Sequence, residues 1–351
     1  MKFKLKILLF PLLLAVVITF YHCSEGKKPV EIQVVRGRTM GTFFTIKYFD
    51  RRETSQDAAE AKREMENGIY NVLKTVNRQM STYIADSEIS RFNRYGQNDW
   101  FEISADLAEV IANAQQVSQI SGGAFDITVG PLVNLWGFGP ELKPEKIPSD
   151  EKIKEVMGFT GYRKLAVRLS PPAVKKTQPE VFCDLAGIAK GYGVDKVAEY
   201  LEAQGIDDYL VEIGGEVRAK GKKEANSWWR LGIAAPDGSS GILKAFPLKN
   251  KAMATSGDYH NYFEEDGIRY SHTIDPGTGK SITHKLVSVT VVHASCMFAD
   301  AMATAINVLG PEQGYELSLK EKLAVFLIIK GEGRFIEKKT PEFEKILEGE
   351  Q

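Results

Sequence analysis

Residues 181–196 have the sequence Val181-Phe-Cys-Asp-Leu-Ala-Gly-Ile-Ala-Lys-Gly-Tyr-Gly-Val-Asp-Lys196. An apolar run ends at Asp184, small residues follow, and apolar residues recur at helical spacing after Lys190. The pattern predicts a strand, a tight turn and the start of a helix. Glycines at such a turn let a ligand approach the backbone, and a helix N-terminus favours bound anions. The segment therefore either binds a phosphate-bearing molecule or only packs a strand tightly against a helix.

A second acid lies in a later segment that also predicts a strand followed by a helix. Val287–His293 alternates like a strand, and the small apolar residues 294–309 have helical spacing. Asp300 and Thr304 are four residues apart, so their carboxylate and hydroxyl share one helix face. Hard cations such as Mg²⁺ bind oxygen ligands of these kinds. The alternative is that Asp300, near the helix start, caps the helix or interacts with its dipole, and that Thr304 bonds to the carbonyl four residues earlier.

A histidine lies between these two segments in the sequence. His272 comes just before Asp275-Pro-Gly-Thr-Gly279, which has the composition of a tight turn, and it is expected at the end of a strand. A single histidine is often structural or only exposed. Because His272 shares a short segment with an acid and stands between two candidate ligand segments, it is also a candidate general base.

In this order, the segments resemble the ApbE-type FAD:protein FMN transferases, which are flavin-trafficking lipoproteins. The resemblance extends from about Arg36 to about Gly310. Each motif is short, and their joint order makes the resemblance specific. The motifs are Thr39-Met-Gly-Thr42, Met80-Ser-Thr-Tyr83, Ser87-Glu-Ile-Ser-Arg-Phe-Asn93, Gly122-Gly-Ala-Phe-Asp126, Thr128-Val-Gly-Pro-Leu132, Asp184–Asp195, Glu212-Ile-Gly-Gly-Glu216, Ala254–Tyr259, Ser271–Pro276 and Asp300–Thr304.

The resemblance implies an enzyme that moves FMN from FAD, its substrate, to a Thr or Ser hydroxyl of a partner flavoprotein, with release of AMP. It implies Mg²⁺ bound by side-chain oxygens of Asp300 and Thr304 and by backbone carbonyls of Gly187 and Ala303. Its implied FAD-contacting residues are Met40, Tyr83, Ala124, Phe125, Asp126, Asp184, Lys190 and Ile274. His272 is the expected base for the acceptor hydroxyl. The implied acceptors are periplasm-facing subunits of flavin-carrying redox complexes, such as sodium-pumping quinone reductases.

Two other functions remain open from the residues. Water could replace the acceptor hydroxyl, which would make the enzyme an FAD pyrophosphatase releasing FMN and AMP; the choice depends on how well the site excludes water. Alternatively, the chain could be a flavin-binding lipoprotein without turnover. A binding protein needs a pocket for the ring but no base beside a metal, so His272 together with Asp300 and Thr304 counts against this second alternative.

Composition and patterning favour one compact α+β domain with largely antiparallel sheets and flanking helices. The chain has 351 residues, 43% of them hydrophobic, and a net charge of −1, so no basic excess points to nucleic acid. Strands and helices alternate without the regular rhythm of a doubly wound sheet. The predicted elements are a hairpin over Glu31–Asp50 with a turn near Gly37, helices over Thr54–Gln79, Ala105–Ile120, Asp150–Met157 and Lys190–Gln204, and strands over Lys164–Leu169, Tyr209–Lys220, Trp228–Ala234, Ile242–Leu248 and Leu323–Ile329, with turns at Pro236-Asp-Gly238 and Lys249-Asn250.

The N-terminus has the pattern of a bacterial lipoprotein signal. Three lysines precede an apolar run that is short for a membrane span, and Cys23 follows it. We expect a signal peptide over 1–22, lipidation of Cys23, a tether over 23–30 and the domain over 31–345. This places the protein in the bacterial cell envelope, lipid-anchored and facing the periplasm. A plain secretory signal and an uncleaved anchor are the alternatives. Cys183 and Cys296 are expected as buried free thiols rather than as a disulfide.

Overall fold

The computed structural model describes residues 31–52, 58–139, 147–224, 227–236, 241–257, 262–265 and 268–349. The predicted signal, lipidation site and tether therefore lie outside the described residues. The described helices are α1 (Ala58–Met80), α2 (Glu88–Asn93), α3 (Ala105–Ile120), α4 (Gly130–Leu135), α5 (Asp150–Met157), α6 (Ala189–Ala203), α7 (Cys296–Lys320) and α8 (Pro341–Glu348), with short 3-10 turns at Ile127–Val129 and Tyr162–Lys164. None of these helices is long and apolar enough to cross a membrane.

Within the described residues, the strands form one large sheet and three small ones. They are β1 (Ile32–Thr39), β2 (Thr42–Phe49), β3 (Phe101–Glu102), β4 (Leu165–Leu169), β5 (Pro172–Lys176), β6 (Tyr209–Ile213), β7 (Glu216–Lys220), β8 (Lys222–Glu224), β9 (Ser227–Ala234), β10 (Ile242–Leu248), β11 (Lys251–Gly257), β12 (Tyr262–Glu265), β13 (Ile268–Ser271), β14 (Leu286–His293), β15 (Ala324–Lys330) and β16 (Phe335–Lys339). The large sheet has the order β1-β2-β6-β7-β11-β14-β15-β16, and its neighbours are antiparallel. The predicted α+β fold with antiparallel sheets is confirmed.

Helices α6 and α7 pack against each other beside the large sheet, and α7 lies against β11 and β14. The apolar spacing of α6 explains this packing, because Val194, Val197, Ala198 and Leu201 are fully buried. Gly191 lets the two helices approach closely, since a Cβ there would lie 2.8 Å from the Cβ of Asp300. The first turns of α6 and the second turn of α7 are thereby held side by side.

Helix α7 is broken at Gly310, whose φ of 78° is not helical. The next residue, Pro311, has no N–H with which to bond the carbonyl of Asn307 four residues earlier. Nε2 of His284 replaces that donor at 2.6 Å from the Asn307 oxygen. The break therefore leaves the preceding turns, which carry Asp300 and Thr304, intact.

Several element predictions are confirmed, including α3, α5 and β10 at their predicted bounds. The predicted hairpin turn near Gly37 is wrong. Gly37 lies inside β1, paired with Phe44, and the chain turns at Met40 and Gly41, which have positive φ. The predicted strand Tyr209–Lys220 is two strands joined by Gly214 and Gly215, both with positive φ. The predicted turn at Pro236-Asp-Gly238 and the start of the predicted helix at Thr54 fall partly outside the described residues.

The strand predicted to end at Asp184 is also wrong. Val181 to Asp184 belongs to no sheet, although the segment is largely buried. We call residues 181–188 the Asp184 loop. Cys183, in this loop, and Cys296 are buried free thiols, as expected.

Candidate active site

A cavity of roughly 720 Å³ brings most of the predicted site residues together. One side is the Asp184 loop with the start of α6. A second side, which we call the Asp300 wall, consists of the end of β11 and the first turns of α7. The predicted residues that line the cavity are Tyr83, Ala124, Phe125, Asp126, Asp184, Gly187, Lys190, His272, Ile274, Asp300 and Thr304.

Two predicted residues do not line it. Met40 occupies the turn between β1 and β2, and its Cε would lie 2.8 Å from a Cβ placed on Gly193, so it packs against α6. Ala303 is buried in α7, one residue before Thr304. Its side chain belongs to the core of the protein.

Asp300 is not a helix cap. Ser295 caps α7 by accepting a hydrogen bond from the N–H of Phe298, and Asp300 lies a full turn further along. Its Oδ2 instead accepts a hydrogen bond of 2.9 Å from the N–H of Gly191 at the start of α6. Burial raises the pKa of Asp300, while the charge of Lys190 and the N–H of Gly191 oppose that rise. Asp300 is thus a buried carboxylate that joins both sides of the cavity.

The Asp184 loop comes very close to Thr304. A Cβ on Gly187 would lie 3.2 Å from Oγ1 of Thr304 and 3.2 Å from a ring carbon of Phe125. The predicted cation ligands Gly187, Asp300 and Thr304 therefore lie close together in the lining of the cavity. They offer a carboxylate, a hydroxyl and backbone oxygens, a donor set that suits a hard divalent cation. No group of three His, Cys, Asp or Glu side chains suited to a metal occurs among the described residues.

Lys190 is held between two acids, one of which the sequence did not single out. Its Nζ lies 2.7 Å from Oε1 of Glu216 and 3.8 Å from Oδ1 of Asp300. Burial alone would lower the pKa of Lys190, but Asp300 and Glu216 together raise it well above its usual value. The lysine therefore stays charged at the cavity wall.

Glu216 lines the cavity and pairs with Lys190, although the sequence indicated no role for it. Its side chain is 2% exposed, it lines the cavity, and burial raises its pKa to about 7 against the opposing charge of Lys190. The Glu212-Ile-Gly-Gly-Glu216 motif contained it, but no spacing rule connects that motif to Lys190. Thr255 and Ser256 at the end of β11 also line the cavity and were likewise given no role.

The Asp184 loop is held by side chains instead of by a neighbouring strand. Asn93 donates from Nδ2 to the carbonyl of Cys183 at 2.9 Å, and its Oδ1 accepts from the N–H of Cys183 at 2.8 Å. These are the two bonds that a neighbouring strand would make. The N–H of Asp184 donates to the carbonyl of Ile127 at 2.7 Å. The loop therefore needs no sheet to satisfy these backbone groups.

A buried lysine supports the same loop. Nζ of Lys176 donates to the carbonyls of Asn93, Pro179 and Val181 at 2.9, 2.8 and 3.2 Å. Its ammonium also lies 5.3 Å from the ring centroid of Phe92. Burial lowers the pKa of Lys176, as expected for a charge surrounded by neutral carbonyls. The position of Asp184 thus depends on α2 and β5.

The aromatic part of the cavity combines an exposed ring with a buried one. Tyr83 is 72% exposed, whereas Phe125 is 4% exposed. Both present flat faces of the kind that bind a ring system. The carboxylate of Asp126 is occupied internally, because it accepts hydrogen bonds from the backbone and hydroxyl of Thr128 at 2.8 and 2.7 Å and from the N–H of Tyr162 at 2.5 Å.

His272 follows β13 directly and lines the cavity. Its ring centroid lies 6.3 Å from that of Phe138 in an edge-to-face arrangement. The predicted turn after it is confirmed, since Asp275 accepts hydrogen bonds from the N–H of Gly277 and the hydroxyl of Thr278 at 2.8 and 2.9 Å. A histidine, a charged lysine and an acid–hydroxyl pair thus line one cavity.

Comparison with known proteins agrees with this geometry. Residues 40–327 match the model of the ApbE family. The FAD:protein FMN transferase of Haemophilus influenzae is 42% identical over 339 residues, covering 95% of this chain and 96% of that protein. The FAD:protein FMN transferase of Escherichia coli K12 is 36% identical over 349 residues, covering 97% of each chain.

Solved structures show the same fold. The flavin transferase ApbE of Vibrio cholerae superposes with a TM-score of 0.83 at 41% identity, covering 91% of this chain and 100% of that one. The apo flavinyl transferase ApbE of Pseudomonas stutzeri gives a TM-score of 0.82 at 37% identity, covering 91% and 97%. Because the family model spans most of the chain and these relatives match it over nearly their whole length, the chain belongs to the ApbE family.

Proposed function

We propose that this protein is a Mg²⁺-dependent FAD:protein FMN transferase that moves FMN from FAD to a Thr or Ser hydroxyl of a partner flavoprotein and releases AMP. The observation that carries the proposal is the cavity that gathers Lys190, His272 and the Asp300–Thr304 pair. The names of the relatives supply the substrate and the transferred group. The geometry supplies residues suited to each part of that reaction.

The reaction is a substitution at phosphorus. The acceptor hydroxyl oxygen forms a bond to the flavin-side phosphorus of FAD, and the bond from that phosphorus to the bridging oxygen breaks. AMP leaves with the electron pair, and His272 takes the proton of the hydroxyl. Such a transfer requires mainly positioning and neutralisation of charge.

Charge neutralisation is assigned to Lys190 and the cation ligands. Asp300 and Thr304, with backbone carbonyls of Gly187 and Ala303, would hold Mg²⁺, which neutralises phosphate oxygens when bound. Lys190 adds a fixed positive charge from the start of α6, where the helix N-terminus also favours an anion. Tyr83 and Phe125 are suited to the flat rings of FAD.

The proposal also places the enzyme in the bacterial cell envelope. Lipidation at Cys23 would hold the enzyme on the membrane facing the periplasm, where subunits of redox complexes present the acceptor hydroxyl. Replacing Cys23 by Ala should move the protein from the membrane fraction to the soluble periplasmic fraction, as seen by immunoblotting. A Cys23→Ala protein that stays in the membrane would indicate an uncleaved anchor.

The decisive experiment incubates the protein with FAD, Mg²⁺ and a Thr-containing acceptor domain. Covalent flavin on the acceptor, seen as fluorescence in a denaturing gel and as added mass, supports the transferase. Free FMN and AMP without labelled acceptor would identify a pyrophosphatase, and unchanged FAD that stays bound would identify a carrier.

His272→Asn separates binding from chemistry. A base acts on the nucleophile and not on the bound ring, so FAD affinity from fluorescence titration should stay nearly unchanged. Turnover should fall about 10²–10⁴-fold, the usual contribution of a positioned proton acceptor. Loss of FAD binding together with turnover, or of neither, would overturn the assignment of His272 as the base.

A further inference from the structure

The ion pairs around Lys190 raise the question of why one lysine faces two acids. Nζ of Lys190 is in contact with Glu216 at 2.7 Å but lies 3.8 Å from Asp300, outside hydrogen-bond distance. The side chains of Glu216 and Asp300 are 2% and 6% exposed, so neither carboxylate is screened by water. The lysine therefore forms ion pairs with both acids and donates its hydrogen bond to Glu216, the closer of the two.

Glu216 is built to hold that position. It begins β7 directly after the Gly214-Gly215 turn and is paired with Ile213 across the hairpin. A Cβ on Gly214 would lie 2.8 Å from Cγ2 of Thr42, so the turn is closely packed against β2. The second carboxylate oxygen of Glu216, Oε2, is buried without a hydrogen-bond partner among the described residues. Lys190 is thus the side chain on which this carboxylate acts.

We propose that Glu216 is a positioning residue that keeps Lys190 off Asp300, so that Asp300 can bind the divalent cation while Lys190 remains free to face the phosphates. The inference rests on the proposed function, because it assumes that Asp300 is a cation ligand. The Lys190 side chain is 29% exposed, and its ammonium is the counter-ion of both buried carboxylates. Without Glu216, Asp300 is the carboxylate that Lys190 can reach, and its pairing with Lys190 would compete with the cation.

The proposal predicts that the effect of a Glu216 substitution on cation affinity depends on whether Lys190 is present. Glu216→Gln should weaken cation binding, because Lys190 then pairs with Asp300. In a Lys190→Met background no ammonium competes, so the same Glu216→Gln change should have almost no effect. A carboxylate that attracted the cation directly would instead weaken binding in both backgrounds.

The experiment is a double-mutant cycle on the full chain without FAD, with Mn²⁺ as the probe and the free Mn²⁺ signal measured by electron paramagnetic resonance. We expect Glu216→Gln to weaken Mn²⁺ binding on the order of tenfold in the parent and less than about twofold in Lys190→Met. Glu216→Asp keeps the charge but shortens its reach, so it should also weaken binding. Circular dichroism and thermal melting report the fold of each variant, and Glu216→Asp replaces Glu216→Gln in the cycle if the latter does not fold.

Three outcomes would overturn the inference. Equal weakening in both backgrounds would make Glu216 a ligand of the cation itself, and no weakening in the parent would remove any role for it. If the parent does not bind Mn²⁺ at all, the inference fails together with the proposed cation site. The flavin-transfer assay run beside the cycle shows separately whether the transferase activity stands.

Discussion

The two sides of the cavity are built differently although their sequences look alike. At the Asp300 wall the predicted strand followed by a helix is present, since β14 leads through the Ser295 cap into α7. Helix α7 carries Asp300 and Thr304 on one face. The Asp184 loop also ends an apolar run on an acid, yet it lies in no strand and is held by Asn93 and Lys176. An acid at the end of an apolar run therefore does not by itself indicate a strand.

The difference predicts that damage to the two sides has different consequences. The Asp300 wall is stabilised by its own helix and sheet, so a substitution there should affect chemistry and leave folding intact. The Asp184 loop depends on side chains from α2 and β5, so substitutions far along the chain should affect both its stability and the binding of FAD.

Among substitutions in the Asp184 loop, its supports and the Asp300 wall, Asp300→Asn should have the largest effect. The substitution keeps the shape and can still accept the hydrogen bond from Gly191, but it removes the charge that a hard cation needs. We expect Mg²⁺-dependent turnover to fall about 10²–10³-fold, equivalent to several kcal/mol of lost stabilisation, in the acceptor-labelling assay. Circular dichroism should show an unchanged fold. Transfer at the parent rate would show that Asp300 does not bind the cation.

Asn93→Ala should have the next largest effect. Its main consequence should be a lower free energy of unfolding. It leaves the N–H and carbonyl of Cys183 without partners in a buried loop. We expect the free energy of unfolding to fall by about 1–3 kcal/mol in urea denaturation, together with weaker FAD binding in a fluorescence titration. The matched control is Asn113→Ala, whose amide bonds Glu109 on the surface of α3 and whose loss should be nearly neutral. Equal effects of the two substitutions would contradict a special role for Asn93.

Gly187→Ala tests the contact between the two sides. The added methyl would lie 3.2 Å from both Thr304 and Phe125, so the loop and α7 must move apart by a few tenths of an ångström. We expect turnover to fall about tenfold with little loss of stability, because positioning is impaired while the core is unchanged. Gly96→Ala, at a position with open space around it, is the control and should retain full activity.

The smallest effect is expected from pH acting on His293, the last residue of β14, which leads into α7. Nδ1 of His293 accepts a hydrogen bond of 3.1 Å from the N–H of Ser295, and burial lowers the pKa of His293. Below its unfolded pKa, the unfolded chain therefore binds more protons than the folded one, so this group destabilises the fold as the pH falls. Between about pH 8 and about pH 5, the free energy of unfolding of the parent should decrease relative to that of His293→Gln. A difference that stays constant over this range would contradict the expectation.

The sequence by itself determined the elements whose pattern is local. Period-3.6 spacing predicted α3 and α5 at their observed bounds. In an amphipathic helix the apolar residues of the buried face recur every three to four positions, so the sequence shows which face is buried. The same local order placed Asp300 and Thr304 on one face of α7. The ordered motifs, taken together, predicted the family, and most of the FAD, cation and catalytic residues predicted from them line the cavity.

Tertiary structure alone decided the contacts between distant segments. Nothing near Cys183 in the sequence indicates that Asn93, ninety residues earlier, completes its backbone hydrogen bonds. Glu216 and Lys190 become partners only because a hairpin of the large sheet and the first turn of α6 meet at the cavity. Periodicity records which face of an element is buried, whereas the choice of partner across the core depends on how the elements pack. That is why the Asp300 wall could be predicted from the sequence and the support of the Asp184 loop could not.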